Sequence, residues 1–596
     1  MDAHHCSFQV LAEDSLQGCL CCLKPREWIR VQRASRSLRV RVASCLAALL
    51  GLLDRQRLAR EVTEACRRRS LDDLWALLKR APESVDAATV NGKSVLMFAV
   101  SEGSLETVRL LLEARPRTVD VQEAHGVTPL FTAAKNGSVE IVRALLALTT
   151  RSVDTPRTDG VTPLLIAAWR GHEEVVRMLL AAGVRSLDTP SKSGVTPLLV
   201  AAYNGSVSIV RMLLEARSNS IDSQDEEGDT PLLQASYFGH RSVVQILLES
   251  RASINGIRHP QGVTPLHVAA QKGHADVIRM LLVARAQHMD LARKFKGHPK
   301  HDGATPLLLA AEKGHAEIVR MLIAAGAKGV DTPKANGANP LFLAAYMGHA
   351  TTVQLLLLAR ARVDHCMPTG DSPLTAAAEN GHAEVAQLLI RAEASMNATD
   401  EDGDTPLLLS AWKGHISIVQ LLLAYRASSV DVQNPQGATP LHMAAQSGHT
   451  DVVRFLLAAK AQSMDLPRQF KDAPDHNGAT PLLLAAEVGC MEMVQMLLDA
   501  GARAVDAPKA MGATPLYLAA YKGHTQVVRL LLDAGAKADG NAKKGDTPEN
   551  IAGSRGHLEV QELLRAWSRT ASGQARGVQA QKPETEQEQE QEQEQE

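Results

Sequence analysis

A glycine followed two residues later by a Thr-Pro-Leu-like triplet recurs along the chain, and this repeat restricts the possible folds more than any other feature. Successive glycines are 33 or 34 residues apart, except for two steps of 41. One copy of this length cannot bury its own apolar face, so neighbouring copies must stack. The 596 residues are therefore predicted to form a repeat array. The repeat glycines are Gly92, Gly126, Gly160, Gly194, Gly228, Gly262, Gly303, Gly337, Gly370, Gly403, Gly437, Gly478, Gly512 and Gly545.

The copy that begins at Gly262 shows why each repeat predicts two helices. Thr264 is a favourable helix N-cap, and Pro265 suits the first helical turn, where its missing N–H costs nothing. Gly273 can adopt the left-handed conformation that ends this first helix. A second helix then begins, with a predicted buried face formed by Val277, Ile278, Leu281 and Leu282. A polar finger leads to the next repeat.

The repeated motif resembles the ankyrin-repeat family. The closest strings are GVTPLHVAA at 262–270 and GATPLHMAA at 437–445, and the match covers residues 58–567 with about fifteen repeats in register. The resemblance implies an all-α ankyrin-repeat solenoid, in which helix-turn-helix repeats carry short β-hairpin fingers. It also implies that the concave face and the fingers bind partner proteins.

Two further patterns concern the organisation of the array. Residues 58–91 lack the triplet and are predicted to be a degenerate N-terminal cap, since the ends of a solenoid face water. Five of the glycines recur after a shift of 175 residues, so the five-repeat blocks 228–402 and 403–567 are interpreted as duplicates. Each block carries a finger extension, at 291–302 and 466–477. These extensions are either protruding contact loops or tolerated insertions.

The two ends differ from the array in composition. Residues 1–57 form a basic, Cys-containing leader with eight Arg and Lys24 against five acids. A helix is predicted near 38–57, packing on the first repeat; a membrane-surface amphipathic helix is the alternative, and acidic residues argue against a transit peptide. The Gln/Glu-rich residues 568–596 are predicted to be a disordered tail.

Three clustered cysteines in the leader are candidates for acylation. Cys19, Cys21 and Cys22 lie beside apolar residues with Arg downstream, a setting that can accept palmitate. Their spacing does not fit a tetrahedral zinc site. Inert thiols are the alternative. Six of the eight Cys precede residue 67, which suits a reducing compartment better than a secreted disulfide framework.

Composition and motifs exclude several classes of function. Lys plus Arg total 64 and Asp plus Glu total 66, a balance that argues against nucleic-acid binding. No nucleotide-binding loop, metalloprotease motif or hydrolase motif occurs, so we identify no catalytic residue, no cofactor and no small-molecule substrate. The longest apolar run, 42–53, is too short to span a bilayer. A soluble, monomeric, cytoplasmic protein is expected, with nuclear or membrane-peripheral placement left open.

Histidines are frequent but are not predicted to bind metal. Ten follow the glycine that ends a first helix, one per repeat, and are interpreted as making a hydrogen bond at the start of the second helix inside each repeat. His298 and His301 lie in the first extension among basic residues, and a His pair without acids or Cys is an incomplete metal site.

The most informative functional pattern lies nine residues after each repeat glycine, at the end of the first helix. Six of the eleven Trp and Tyr residues occupy this position, where other repeats have Ser, Lys, Gln or Glu. In the ankyrin family it faces the concave surface. We call these six residues the aromatic stripe and predict that they bind protein, although rings that merely pad the helix end are the alternative. They are Trp169, Tyr203, Tyr237, Tyr346, Trp412 and Tyr521, with Arg170 and Phe238 beside two of them.

The sequence therefore predicts a non-catalytic scaffold or adaptor that binds other proteins. Two alternatives remain open. One is a regulatory subunit of a separate enzyme, and the other is a membrane-peripheral tether anchored by the N-terminal cysteines. Partner identity is not readable from the sequence.

Overall fold

The computed structural model describes residues 57–579, apart from 82–85, 87–88, 91–92, 115–116, 149–151, 255–258, 288–301, 328, 426–430, 462–470, 511 and 540–545. Within the described residues the chain consists of pairs of short helices, and inside each of two units successive pairs pack against each other. Contacts group the chain into two compact units, Met1–Val268 and Ala269–Glu596. The predicted all-α fold of stacked helix-turn-helix repeats is confirmed.

The first helix of each repeat begins and ends as its sequence predicts. In the repeat of Gly160, the Thr162 hydroxyl accepts a hydrogen bond from the Leu165 N–H at 3.2 Å, and proline follows the cap. Gly171 ends the helix with a φ of 76°. The first helices span 57–68, Val95–Glu102, Pro129–Asn136, Pro163–Arg170, Pro197–Tyr203, Pro231–Phe238, Pro265–Lys272, Pro306–Glu312, Pro340–Tyr346, Pro373–Glu379, Pro406–Lys413, Pro440–Ser447, Pro481–Val488, Pro515–Lys522 and Pro548–Ser554.

The second helices are amphipathic and bury one face. In the repeat of Gly262, Val277, Ile278 and Leu281 are buried as predicted, while Leu282 is only half-buried. The second helices span Leu71–Arg80, Leu105–Glu113, Val139–Leu146, Glu173–Ala181, Val207–Glu215, Arg241–Glu249, Ala275–Gln287, Ala316–Ala324, Ala350–Leu358, Ala383–Arg391, Ile416–Ala424, Thr450–Ala461, Met491–Asp499, Thr525–Asp533 and Leu558–Gln579.

The fingers differ from the predicted β-hairpins. Among the described residues only β1 (Thr89–Val90) and β2 (Lys93–Ser94) form an antiparallel ladder. Other fingers close through single turns, as where the Arg157 N–H donates to the Val161 carbonyl at 2.9 Å. Too few residues remain on either side of such a turn to form further hydrogen-bonded pairs of a β-ladder. Short 3-10 helices occupy Arg117–Asp120, Ala124–Gly126, Ser186–Asp188 and Ser220–Asp222.

Aspartates hold successive fingers together. The Asp154 carboxylate accepts hydrogen bonds from the backbone N–H groups of Arg185 at 3.0 Å and Ser186 at 2.8 Å, about one repeat later. A carboxylate that binds backbone N–H groups makes a strong, charge-assisted contact. The same bond to the following repeat is made by Asp120, Asp188, Asp222, Asp331, Asp364, Asp472 and Asp506.

The ends of the array are described only in part. The last second helix continues beyond residue 567, where the sequence places the end of the array, and reaches Gln579. The leader with its predicted helix lies outside the described residues up to 56, and so do residues 580–596 of the tail. These boundaries stay predictions. In the part of the chain that the structure describes, no helix is both long and apolar enough to cross a bilayer.

Candidate protein-binding surface

The aromatic stripe lies at the surface although the residues just before it are completely buried. In the repeat of Gly160, Ala167 and Ala168 have no exposed area, whereas the next residue, Trp169, is 50% exposed. The stripe position therefore lies at the edge of the core, since it is at least partly exposed directly after two buried positions. The exposed fractions of the other open stripe residues are 46% for Tyr203, 42% for Tyr346 and 41% for Trp412. Tyr237 and Tyr521 are half-buried.

The repeat histidines bind the backbone carbonyl at the stripe position of the preceding repeat. His240 Nε2 donates to the carbonyl of Tyr203 at 2.9 Å, and His382 Nε2 donates to that of Tyr346 at 3.0 Å. The predicted bond inside one repeat is therefore wrong, because the ring reaches back over the glycine of the preceding repeat. Bonds of 2.9 to 3.3 Å to this carbonyl are made by His172, His240, His315, His349, His382, His415, His524 and His557.

A different residue performs this task where the histidine is missing. Ser206 follows the first helix that ends at Tyr203, so no imidazole is available there. Instead, the Asn204 side-chain amide donates to the Trp169 carbonyl at 2.6 Å. The stripe carbonyl is thus held by the next repeat even when the residue type changes.

Three rings form a cluster in the first unit. The Phe238 centroid lies 4.6 Å from that of Tyr203 and 4.9 Å from that of Tyr237, both edge-to-face. Phe238 itself is 40% exposed. Edge-to-face pairs at these distances are favourable beyond the area that they bury. Phe238, which the sequence placed only beside the stripe, therefore joins the rings of two successive repeats into one apolar patch.

Trp169 is separate from this cluster and lines a cavity of about 260 Å³. The floor is apolar and the rim is charged. The Arg157 guanidinium lies 5.8 Å from the centre of the Phe131 ring and is paired with Asp159, with Nε 3.0 Å from Oδ1. This contact raises the pKa of Arg157, and the Arg157 guanidinium lowers the pKa of the Asp159 carboxyl. The lining residues are Phe131, Lys135, Arg157, Asp159, Val161, Ile166, Trp169 and Arg170.

Stripe residues of the second unit have individual neighbours. The Lys413 ammonium lies 4.0 Å from the centre of the Trp412 ring, and Phe342 stacks on Tyr346 with centroids 6.2 Å apart. Tyr521 is covered by Arg555, whose guanidinium is 4.2 Å from the ring centre and donates to the hydroxyl. Each of these rings therefore has its own neighbour, and the neighbours differ in polarity.

The sequence prediction omits six residues that line the Trp169 cavity: Phe131, Lys135, Arg157, Asp159, Val161 and Ile166. The signal that was available is the finger just before Gly160, which supplies Arg157 and Asp159 to the first helices on either side of it. The motif of a single repeat does not show which finger side chain contacts which helix of a neighbouring repeat.

Metal and cysteine sites are the remaining candidates. In the part of the chain that the structure describes, no group of three or more His, Cys, Asp or Glu could hold a metal ion. Cys19, Cys21, Cys22, His298 and His301 lie outside the described residues, so acylation stays a prediction. Burial raises the pKa of the Cys66 thiol to about 12, which makes that cysteine a poor nucleophile.

Comparison with known families agrees with the repeat geometry. The profile described as "Ankyrin repeats (3 copies)" matches residues 62–154, 148–222, 198–292, 283–365, 352–434, 423–507 and 503–572. A search of curated proteins found no match. The matches together span nearly all of the described helix pairs, and most of these pairs share a Thr-Pro helix start, buried small residues and a glycine stop. The chain belongs to the ankyrin-repeat family.

Proposed function

We propose that this protein is a non-catalytic scaffold or adaptor that binds other proteins through the aromatic stripe. Ankyrin repeats are protein–protein interaction modules. The observation that carries the finer proposal is that rings at one position are at least partly exposed, each directly after two buried small residues, Ala or Ser. Trp and Tyr dominate the energetics of binding surfaces. We further propose that the protein acts in the cytoplasm as a monomer.

Preorganisation supports this role for the cluster of Tyr203, Tyr237 and Phe238. The rings already contact each other, and the Tyr203 carbonyl is held by His240. A partner would therefore immobilise few side chains on binding, and the entropic cost of association would be small. Exposed apolar patches of this kind on a folded protein mark interaction sites.

A triple variant tests the proposal. Trp169→Ala, Tyr203→Ala and Tyr237→Ala, combined in the full chain, should abolish capture of partner proteins in affinity purification with quantitative mass spectrometry. Each ring at a binding hot spot contributes about 2 kcal/mol or more, which is roughly 30-fold in affinity. The melting temperature should fall only modestly, because the rings are at least partly exposed and each edge-to-face pair contributes about 0.5 to 1.5 kcal/mol.

A matched control replaces exposed apolar residues of the same unit that lie outside the stripe. Leu71, Val121 and Leu148 are 39%, 43% and 46% exposed, close to the stripe values. The triple variant Leu71→Ala, Val121→Ala and Leu148→Ala should keep the captured partners. Loss of the same partners from both variants, or early melting of the stripe variant, would show that the rings are structural.

A further inference from the structure

The Trp169 cavity combines an apolar floor with a cationic rim. Phe131 and Ile166 are buried beneath it, and the half-exposed Trp169 ring forms one wall. Lys135 and Arg170 are exposed at the ends of the two first helices that flank it. The site therefore offers a place for an apolar group between two positive charges.

Two positive charges of the rim lack an ion-pair partner among the described residues. Arg157 is paired with Asp159, so these two residues together contribute no net charge. Among the described residues, Lys135 and Arg170 make no ion pair. A ligand that brought carboxylates to these two side chains would complete the charge balance, whereas a cationic ligand would be repelled.

The size of the cavity limits what it can hold. Sites for whole small molecules have volumes of about 300 to 1,000 Å³, and this cavity has about 260 Å³. It is suited to one side chain of a longer ligand that continues along the surface. The neighbouring stripe residue, Tyr203, is 46% exposed and lies on the next first helix, which packs against the helix of Trp169.

We propose that the Trp169 cavity binds a protein segment in which one large apolar side chain is flanked by aspartate or glutamate. The apolar side chain enters between Phe131 and Trp169, and the flanking carboxylates contact Lys135 and Arg170. This inference rests on the proposed function, because it names the chemistry of the partner segment.

Fluorescence polarisation with defined peptides tests this inference on the full chain. The probe is a fluorescein-labelled peptide with one leucine flanked by two aspartates on each side in a Gly/Ser background. Replacing the leucine by glycine should weaken binding about tenfold or more, since burial of leucine contributes about 1.5 to 3 kcal/mol. Replacing the aspartates by lysines should abolish binding.

Variants of the protein locate the binding site. Lys135→Ala combined with Arg170→Ala should weaken binding of the aspartate-leucine probe roughly fivefold, the scale of two exposed ion pairs. Lys413→Ala is the matched control, because Lys413 occupies the position of Arg170 in another repeat but pairs with Glu379. It should leave probe binding unchanged. Melting curves of all variants check that they are folded.

Several outcomes would overturn the inference. They are equal binding of the aspartate and lysine peptides, equal binding of the leucine and glycine peptides, displacement of the probe by single-stranded DNA as effective as displacement by the unlabelled peptide, or no effect of the Lys135 and Arg170 substitutions. If the stripe variant still loses its protein partners in these cases, the proposed function stands and only the chemistry assigned to the cavity fails.

Discussion

Two matching fingers, 175 residues apart, hold a largely buried aspartate in different ways. Asp229 faces His259, with Nε2 3.4 Å from one carboxylate oxygen, and its other oxygen accepts from the Gln234 side-chain amide at 2.6 Å. Asp404, its counterpart, accepts a hydrogen bond from Asn434 at 2.9 Å. The segments around both aspartates read Gly-Asp-Thr-Pro-Leu. The two fingers thus share the acid, and the histidine of the first finger is matched by a neutral asparagine in the second.

Burial dominates the behaviour of both carboxyl groups. Desolvation raises the pKa of Asp229 and of Asp404, and the nearby acids add to the effect. His259 lowers the pKa of Asp229, and Asn434 lowers that of Asp404, but neither overcomes burial. The comparison teaches that these fingers tolerate an unfavourable charge as long as some donor reaches it.

The largest expected effect concerns the buried core beside these two fingers. It tests whether matching core positions contribute equally to stability. Leu232 and Leu407 occupy matching positions directly after these fingers and have no exposed area. Leu232→Ala and Leu407→Ala should each cost about 2 to 5 kcal/mol, from lost burial and the cavity left behind. Hydrogen exchange of the amides in the surrounding helices measures this locally. A large difference between the two variants would contradict equivalence.

A smaller effect concerns His442, which caps the repeat that follows Asn434. It is buried, its Nδ1 lies 2.7 Å from the Thr439 hydroxyl, and its Nε2 donates to the Ala479 carbonyl at 3.1 Å. Substitution by Ala should cost about 1 to 3 kcal/mol, because a buried carbonyl loses its donor.

The same residue should make the second copy sensitive to acid. Burial lowers the pKa of His442 below its unfolded value of 6.5, so the neutral ring is favoured in the fold. Its contribution to stability is therefore present above pH 6.5 and is lost as the pH falls toward the folded value. Denaturation at pH 7.5 and pH 5 should show this loss in the wild type. A loss of equal size in His442→Asn would rule out His442 as its source.

The aspartates should show the opposite dependence on pH. Since the folded pKa of Asp404 is raised, its contribution is largest below the unfolded pKa and is lost as the pH rises through the folded value. Asp404→Asn should therefore stabilise the finger at pH 7 and leave it unchanged at pH 3. Asp229→Asn is the matched variant. If either variant destabilises its finger at pH 7, the charged carboxylate is not unfavourable there. Amide exchange in the finger reports both.

The smallest expected effect compares Tyr346 with Tyr521. Arg555 covers Tyr521, while the matching position beside Tyr346 is Asn380. Arg555→Ala should cost below about 1 kcal/mol, the scale of an exposed cation–π contact. It should also raise the nitration rate of Tyr521, followed by peptide mass spectrometry, toward that of Tyr346. Asn380→Ala is the control and should leave both rates unchanged.

The sequence predicts those features that one repeat determines alone. Thr162, Pro163 and Gly171 specify the limits of a helix locally, so the helix pairs and the exposed position after the alanines were predictable. Contacts between repeats were not. The bond from His240 to Tyr203 and the approach of Arg157 to Phe131 depend on the stacking offset, which the motif does not encode.

The histidine bonds give the array a direction. Each donor belongs to the later repeat and each accepting carbonyl to the earlier one. During translation a repeat emerges before the residue that will hold its binding position has been synthesised. Each binding position is therefore fixed only after the next repeat has been synthesised. If the ribosome pauses, the last completed helix pair lacks its histidine hydrogen bond.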